Sequence, residues 1–127
     1  MSNAKGRARR PSAQRLRVLV VDDQEAIRSL LGRVLSRHGC HVVGQAAHGR
    51  EAIALAMAKE PDLVIMDSQM PHMDGIQATR LITRRLPTTT VVGFTSTEGA
   101  SLLQAGAVEV FDKSELQRLV QTYCPPI

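Results

Sequence analysis

The 127-residue chain has no apolar run of the roughly 18 to 20 residues that a membrane-spanning helix needs. Its basic beginning is not followed by the apolar stretch of a secretory signal, so neither membrane insertion nor export is expected. Cysteines are few as well, because only Cys40 and Cys124 are present, and their spacing fits neither a metal site nor a redox motif. These absences predict a cytoplasmic protein with reduced cysteines.

Acidic residues are missing from the first 17 positions, which contain six basic residues and carry a charge of +6. Because the net charge of the whole chain is +4, the remaining residues carry −2. The segment also lacks apolar periodicity before Leu16, which predicts a flexible basic arm over residues 1–15 and one domain over residues 16–127. The arm has no aromatic side chain on which a base could stack, so DNA binding is not expected.

The rest of the chain has an ordinary globular composition, 43% hydrophobic and 22% charged, and is long enough for one buried core. Short apolar or β-branched runs at 16–21, 41–46, 63–66, 89–94 and 108–111 alternate with helical patterns. Five strands alternating with five helices predict an α/β fold, a doubly wound parallel sheet with right-handed crossovers. The fourth helical segment, residues 98–105, has room for only about two turns. Ser114 and Gln117 fit the capping-box pattern of the last helix.

The central segment of the chain is Leu63–Met66, four apolar residues that run directly into Asp67. This pattern is typical of a strand buried on both faces, with a carboxylate where open α/β sheets bind their ligands. Asp22 and Asp23 follow the first strand in the same way. Each acidic residue could instead cap a turn or a helix, and neither alternative is excluded by its own position.

Two further polar residues follow predicted strands, Thr95 after the fourth and Lys113 after the fifth. Taken singly, they could be a turn residue and a solvated charge. Because the ends of parallel strands share one edge of the sheet, however, they can converge with the three carboxylates, which repel one another unless a cation neutralises them. Mg²⁺ prefers such oxygen ligands. An ionised Asp67 beside Mg²⁺ and a lysine is suited to attack phosphorus.

Four pieces of the sequence resemble the receiver domain of two-component response regulators. They are Val20-Val21-Asp22-Asp23, Asp67-Ser68-Gln69-Met70-Pro71-His72-Met73-Asp74-Gly75, Thr95, and Phe111-Asp112-Lys113-Ser114. The resemblance covers roughly residues 16–123. It implies a flavodoxin-like sheet of order 2-1-3-4-5 with five helices, of which the fourth is shortened here.

The resemblance also implies a role for each matching residue. Asp67 is the expected phosphoacceptor, Thr95 the switch hydroxyl and Lys113 the lysine that contacts the phosphoryl group. Asp22, Asp23 and Asp67, with the backbone carbonyl of Gln69, are the expected Mg²⁺ ligands. The expected partner is a histidine kinase or a phosphotransfer protein. A homodimer is a further expectation.

Two departures from the family pattern concern the read-out of phosphorylation. The position three residues before Lys113, where the family normally has an aromatic switch residue, is Val110, and strand alternation directs the neighbouring Phe111 to the other face. Lys113 is followed by Ser114 in place of the frequent proline. The sequence therefore predicts a complete phosphorylation site with an altered output face.

Three functions remain open at this point. The first is a phosphorylated receiver that is not otherwise an enzyme, in which Gln69 and Thr97 are predicted to set the lifetime of the phosphorylated state. The second is a receiver-like interaction module that signals without phosphorylation. The third, a Mg²⁺-dependent phosphatase with an aspartyl nucleophile, is disfavoured because Gln69 stands where such enzymes carry a second acid.

Overall fold

The computed structural model describes residues 15–70, 73–97 and 99–124, so nearly all of the predicted basic arm lies outside the described residues. The elements in chain order are β1 (Arg17–Val21), α1 (Glu25–Arg37), β2 (His41–Ala46), α2 (Gly49–Lys59), β3 (Leu63–Met66), α3 (Gly75–Arg85), β4 (Thr90–Thr95), α4 (Ala100–Ala105), β5 (Glu109–Asp112) and α5 (Leu116–Tyr123). The five strands form one parallel sheet in the order β2-β1-β3-β4-β5. The predicted doubly wound, flavodoxin-like fold is confirmed. Within the described ranges, no helix is both long and apolar enough to cross a bilayer.

Strand alternation divides the core between the two faces of the sheet. In β1, Val18 and Val20 pack on the side of α1 and α5, whereas Leu19 and Val21 pack on the side of α2, α3 and α4. All four side chains are essentially inaccessible to solvent. Burying an aliphatic side chain of this size stabilises the fold by about 1.5–3 kcal/mol. A sheet covered on both faces holds its strand ends rigidly, and this positions the polar residues that follow them.

The fourth helix is short, as the sequence predicts. It spans six residues, Ala100–Ala105, and ends at Gly106, whose φ of 125° belongs to a region that side-chain-bearing residues rarely adopt. A Cβ atom at Gly106 would also collide with Thr83 of α3. Val108, predicted to begin the fifth strand, lies just before it and is 61% exposed. Val108 is thus an exposed apolar residue in the connection between α4 and β5.

The expectation of reduced cysteines is wrong for this structure, because Cys40 and Cys124 form a disulfide. The two residues are 84 positions apart in sequence, and their Cα atoms lie 6.4 Å apart, within the usual range for a disulfide. Cys40 precedes β2 and Cys124 follows α5, and both side chains belong to the core cluster on the α1–α5 face. The fold thus brings together two residues whose sequence spacing indicates no pairing.

Candidate functional site

The polar residues that follow the strands lie at the carboxyl edge of the sheet, as the sequence predicts. The backbone N–H of Asp22 donates to the carbonyl oxygen of Ala46 at 3.0 Å, and the N–H of Asp67 donates to that of Val21 at 3.0 Å. These bonds continue the pairing of the strands beyond their ends. Arg28 of α1 donates to the carbonyl oxygen of Asp22 at 2.7 Å. The backbone of Asp22 is therefore bonded at both its N–H and its carbonyl oxygen, and that of Asp67 at its N–H.

The connection from β3 to α3 brings the helix directly against Asp67. The N–H of Gly75 donates to the carbonyl oxygen of Ser68 at 2.9 Å, and the Asp74 side chain caps the helix by accepting from the N–H of Gln77 at 3.0 Å. A Cβ atom at Gly75 would collide with the backbone oxygen of Asp67. Only glycine therefore allows this close approach of the helix to the end of β3.

Lys113 is held in place by a helix cap that differs from the predicted one. Asp112 is the N-terminal cap: its carboxylate accepts from the N–H of Ser114 at 2.8 Å, and the Glu115 carboxylate accepts from the N–H of Asp112 at 2.8 Å. The predicted box of Ser114 and Gln117 is wrong because a 3₁₀ turn at Lys113–Glu115 precedes α5 and moves the cap two residues earlier. All peptide bonds in the described ranges are trans.

The ammonium of Lys113 lies between two carboxylates. Its Nζ atom is 2.7 Å from Oδ2 of Asp22 and 3.7 Å from Oδ2 of Asp67. Oδ1 of Asp22 accepts from the N–H of Gln24 at 2.9 Å, whereas Oδ2 accepts no well-oriented hydrogen bond from the described residues. Asp22 is 1% exposed, so the lysine charge is the main compensation for a buried anion.

Asp67 is buried too, at 6% exposure. Burial raises the pKa of its carboxyl group, and the negative charge of Asp22 raises that pKa further. Three groups lower the pKa of Asp67: the Lys113 ammonium, the N–H of Ser68 and the hydroxyl of Thr95. Additional positive charge at this edge would therefore favour the ionised, nucleophilic form of Asp67.

Asp22, Asp23 and Asp67 each offer a carboxylate oxygen, and these atoms lie within 4.8 Å of one another. Three carboxylates and one ammonium leave a net charge of −2, which a divalent cation would neutralise. The donors are all hard oxygens, and Asp23 is exposed, so an ion could keep several waters. The residues present therefore fit Mg²⁺ on charge and donor type.

Thr95 reaches the site from β4 and is 2% exposed. Its hydroxyl oxygen is 2.8 Å from that of Ser68 and 3.1 Å from that of Thr97, and the Ser68 and Thr97 hydroxyls are 3.0 Å apart. We call Ser68, Thr95 and Thr97 the hydroxyl cluster. The sequence assigns no role to Ser68, although its place directly after Asp67 is a signal for one.

Gln69 is exposed, and binding of a metal by its backbone carbonyl stays a prediction. Arg28 is the other residue that the sequence did not indicate, because nothing in its position on the first helix shows that it holds the loop after β1. The predicted residues that the structure does bring together are Asp22, Asp67, Thr95 and Lys113, with Asp23 at the solvent side of the carboxylate group.

Val110 and Phe111, the positions considered for the read-out, lie in β5. Val110 packs on the α3–α4 side and Phe111 on the α1–α5 side, as strand alternation predicts. A Cβ atom at Gly93 would come within 3.0 Å of Val110, and one at Gly99 would collide with it, so Val110 fills the space that these two glycines leave. On the other side, Phe111 contacts Tyr123 edge to face at 6.1 Å between ring centroids.

Comparison with known proteins agrees with this geometry. The response regulator receiver domain family matches residues 18–123. A protein-glutamate methylesterase/protein-glutamine glutaminase of Pseudomonas aeruginosa is 44% identical over 105 residues, which are 78% of this chain but only 28% of that protein. The response regulator domain of Thermotoga maritima CheB superimposes with a TM-score of 0.77 at 28% identity, covering 87% of this chain and 94% of that one. A chain of the CheX–CheY–BeF₃–Mg²⁺ complex from Borrelia burgdorferi has a TM-score of 0.76 at 25% identity, covering 85% of this chain and 89% of that one.

A five-stranded parallel sheet of this order, with carboxylates, a threonine and a lysine at its carboxyl edge, defines a receiver of the phosphorelay type. The chain belongs to the response regulator receiver domain family. It spans less than a third of the length of the methylesterase to which it is similar.

Proposed function

We propose that Asp67 accepts a phosphoryl group from a phosphohistidine of a histidine kinase or phosphotransfer protein. The observation that carries this proposal is the position of Lys113 Nζ, 2.7 Å from Asp22 and 3.7 Å from Asp67, at an edge that also holds Thr95. This places one nucleophile and one cation together, with a hydroxyl donor beside them. Phosphoryl transfer depends chiefly on such positioning and charge stabilisation.

In the transfer, an Oδ atom of Asp67 forms a bond to phosphorus. The phosphorus–nitrogen bond of the donor breaks, and its electron pair stays on the imidazole nitrogen, which takes up a proton. The Lys113 ammonium, already close to Asp67, turns from Asp22 to an oxygen of the transferred group. The Thr95 hydroxyl donates to another oxygen of that group. Each of these contacts stabilises negative charge on the phosphoryl oxygens.

We assign Mg²⁺ to Asp22, Asp23, Asp67 and the carbonyl oxygen of Gln69. When bound, Mg²⁺ supplies positive charge to the carboxylates and to the phosphoryl oxygens. The support for this assignment is the net charge of −2 around Oδ2 of Asp22, a buried atom without a well-oriented hydrogen bond. The lysine alone leaves that charge only partly compensated.

The proposal is tested by intact-mass spectrometry after incubation with acetyl phosphate and Mg²⁺. We expect the parent protein to gain one phosphoryl group. Asp67→Asn, and the parent protein with the metal chelated, should gain none. Asp74→Asn is the matched control, because Asp74 caps α3 on the same loop and takes no part in the chemistry. Unchanged mass in a folded parent protein would contradict the proposal.

We further propose that residues 16–127 are the receiver and residues 1–15 a basic arm, and that the chain catalyses nothing beyond its own phosphorylation and dephosphorylation. A homodimer would bury the exposed apolar side chains of Leu103 and Val108, which are 48% and 61% exposed. Sedimentation with and without acetyl phosphate measures the oligomeric state.

The cytoplasm is the location that we propose, since a kinase or phosphotransfer partner would meet the receiver there. The Cys40–Cys124 disulfide is the observation against it, because disulfides are rare in reducing compartments. Alkylation of free thiols in rapidly quenched cells distinguishes reduced cysteines from a disulfide-bonded pair. Two alkylated cysteines support a cytoplasmic receiver, whereas a protected pair contradicts that location.

One observation favours a second function, an interaction module that signals without phosphorylation. Val110 fills the space beside Gly93 and Gly99, so no aromatic ring can swing at this position to report the state of Asp67. In that case a partner would bind the parent protein and Asp67→Asn equally, with or without acetyl phosphate. Binding that requires phosphorylated Asp67 would exclude this second function.

A further inference from the structure

The hydroxyl cluster contains more contacts than a single switch threonine requires. Ser68 is 3% exposed, and its Oγ atom lies 2.8 Å from Oγ1 of Thr95 and 3.0 Å from Oγ1 of Thr97. The backbone N–H of Thr97 also donates to Oγ1 of Thr95 at 3.3 Å. With the Thr97 hydroxyl at 3.1 Å, three groups other than Asp67 thus approach Oγ1 of Thr95. The orientation of its single proton depends on what these groups do.

A count of donors and acceptors gives an arrangement in which every proton of the cluster has an acceptor. A hydroxyl group has one proton to donate and two lone pairs to accept with. The N–H of Thr97 can only donate, so it occupies one lone pair of Thr95. If Ser68 donates to the other, the proton of Thr95 is left for Asp67, whose pKa the Thr95 hydroxyl lowers. The Thr97 hydroxyl can then donate to Ser68, and every proton in the cluster has an acceptor.

We propose that Ser68 is a positioning residue, which donates its proton to Thr95 and so directs the Thr95 hydroxyl toward Asp67 and the phosphoryl group bound there. This inference rests on the proposed function, because it assigns the orientation of Thr95 to a neighbour of the same site. Hydrogen bonds in such a series polarise one another, which makes Thr95 a stronger donor to a phosphoryl oxygen. The Ser68 hydroxyl has Thr95 and Thr97 as its hydrogen-bond partners, so its effect on Asp67 is exerted through Thr95.

A cavity of about 100 Å³ lies beside the cluster, lined by Ser68, Gln69, Ile76, Thr97, Ser101 and Leu102. It provides room for one extra methyl group at position 68. Ser68→Thr therefore keeps the hydroxyl and fits the space, whereas Ser68→Ala removes only the hydroxyl. Ser101→Ala makes the same chemical change at the wall of the same cavity, outside the hydroxyl cluster, and is the matched control.

The test is the dissociation constant of beryllofluoride, a phosphoryl mimic, measured by calorimetry at saturating Mg²⁺, with thermal unfolding of each variant recorded in parallel. We expect Ser68→Ala to weaken binding about three- to tenfold, the range of one hydrogen bond between neutral groups. Ser68→Thr should restore the parent value, and Ser101→Ala should not change it. Thr97→Ala, at an exposed position that does not threaten folding, should weaken binding in the same direction but less.

Whether Ser68 acts through Thr95 is decided by repeating Ser68→Ala in a Thr95→Ala background. We expect no further loss there, because the donor that Ser68 orients is already gone. An undiminished loss in that background would overturn the proposal, as would parent-like binding by Ser68→Ala or a lack of rescue by Ser68→Thr. If the parent protein itself fails to bind beryllofluoride with Mg²⁺, the proposed function fails first. Parent binding that requires Asp67 but ignores Ser68 overturns only the present inference.

Discussion

The carboxyl edge of the sheet and the segment from α4 to β5 differ in how closely they follow the family pattern. At the edge, Asp22, Asp67, Thr95 and Lys113 converge, and each is fixed by its own backbone or cap. In the α4–β5 segment, the helix has only six residues, and Val110 occupies the position of the family's aromatic switch. The short helix and the valine at position 110 thus lie outside the group of residues that converges at the edge.

This difference follows from what each part requires. Charge neutralisation and in-line attack require the charged groups and the nucleophile to lie at defined positions. The edge must therefore keep particular residues at particular strand ends. A read-out needs only some surface whose shape depends on the state of Thr95. At the edge the structure brings together the residues of the family pattern, whereas position 110 has a valine in place of the aromatic ring.

The largest expected effect concerns the disulfide, which ties the residue after α5 to the residue before β2. The Cys40–Cys124 bond closes a loop with a sequence separation of 84 residues, and its reduction should lower the free energy of unfolding by about 2–5 kcal/mol. Urea denaturation with and without reductant measures this loss. The double variant Cys40→Ser with Cys124→Ser is the control, and it should not respond to reductant. Equal stability of the oxidised and reduced parent protein would contradict the expectation.

The second prediction tests whether an aromatic ring can be restored to the switch position. Val110→Phe should destabilise the protein by about 1–3 kcal/mol, because a ring would overfill the space beside Gly93 and Gly99. Its phosphorylation by acetyl phosphate should be unchanged. Val108→Phe, at a side chain that is 61% exposed, is the control and should change stability little. A Val110→Phe protein as stable as the parent would show that the space beside Gly93 and Gly99 can accommodate a ring, which would contradict the expectation.

A third prediction concerns the charge balance of the edge. Lys113→Gln removes the ammonium that lies 2.7 Å from Asp22, so Mg²⁺ should bind roughly tenfold more tightly, because a like charge has been taken from its site. Phosphorylation of the same variant should be slower. Calorimetric Mg²⁺ titration provides the measurement, and Lys59→Gln on the exposed end of α2 provides the control. Unchanged Mg²⁺ affinity would mean that the Lys113 ammonium does not repel an ion at the metal site.

The smallest expected effect lies on α5. The Tyr123 hydroxyl donates to Glu109 at 2.7 Å, and burial together with this acceptor raises the pKa of Tyr123 from 10.0 to about 12. Because the folded state holds the proton more tightly than the unfolded state, the resulting stability is present below pH 10 and is lost as the pH rises toward 12. Unfolding free energies over this range should fall more steeply for the parent protein than for Tyr123→Phe. If the unfolding free energies of the two proteins fell equally with pH, the stabilising role of the Tyr123 hydroxyl would be refuted.

Much of the fold and of the candidate site follows from local patterns in the sequence. The run Leu63–Met66 before Asp67 identifies a buried strand with a carboxylate at its end, and the alternation of strands and helices places the other strand ends on the same edge. Val110 and Phe111 point to opposite faces because strand geometry has a period of two. These features need only chain order and regular structure, and the structure confirms them.

Other features depend on contacts that no local pattern encodes. Cys40 and Cys124 meet because the C-terminal ends of α1 and α5 pack on the same face, a property of the whole fold. Ser68 reaches Thr95 and Thr97 through the conformation of two loops. The cap at Asp112 arises from a single 3₁₀ turn that shifts the expected start of the helix. Sequence reasoning therefore identified the chemical groups better than it did the side chains that orient them.

The most direct test of the central claim is to locate the phosphoryl group chemically. Borohydride reduces an acyl phosphate to a homoserine residue, which peptide mass spectrometry can place in the sequence. After treatment with acetyl phosphate and Mg²⁺, we predict homoserine at position 67 alone, and none when the metal is chelated. Homoserine at position 22 or 23, or an unmodified position 67 in the folded protein, would contradict the assignment of this edge as a phosphorylation site.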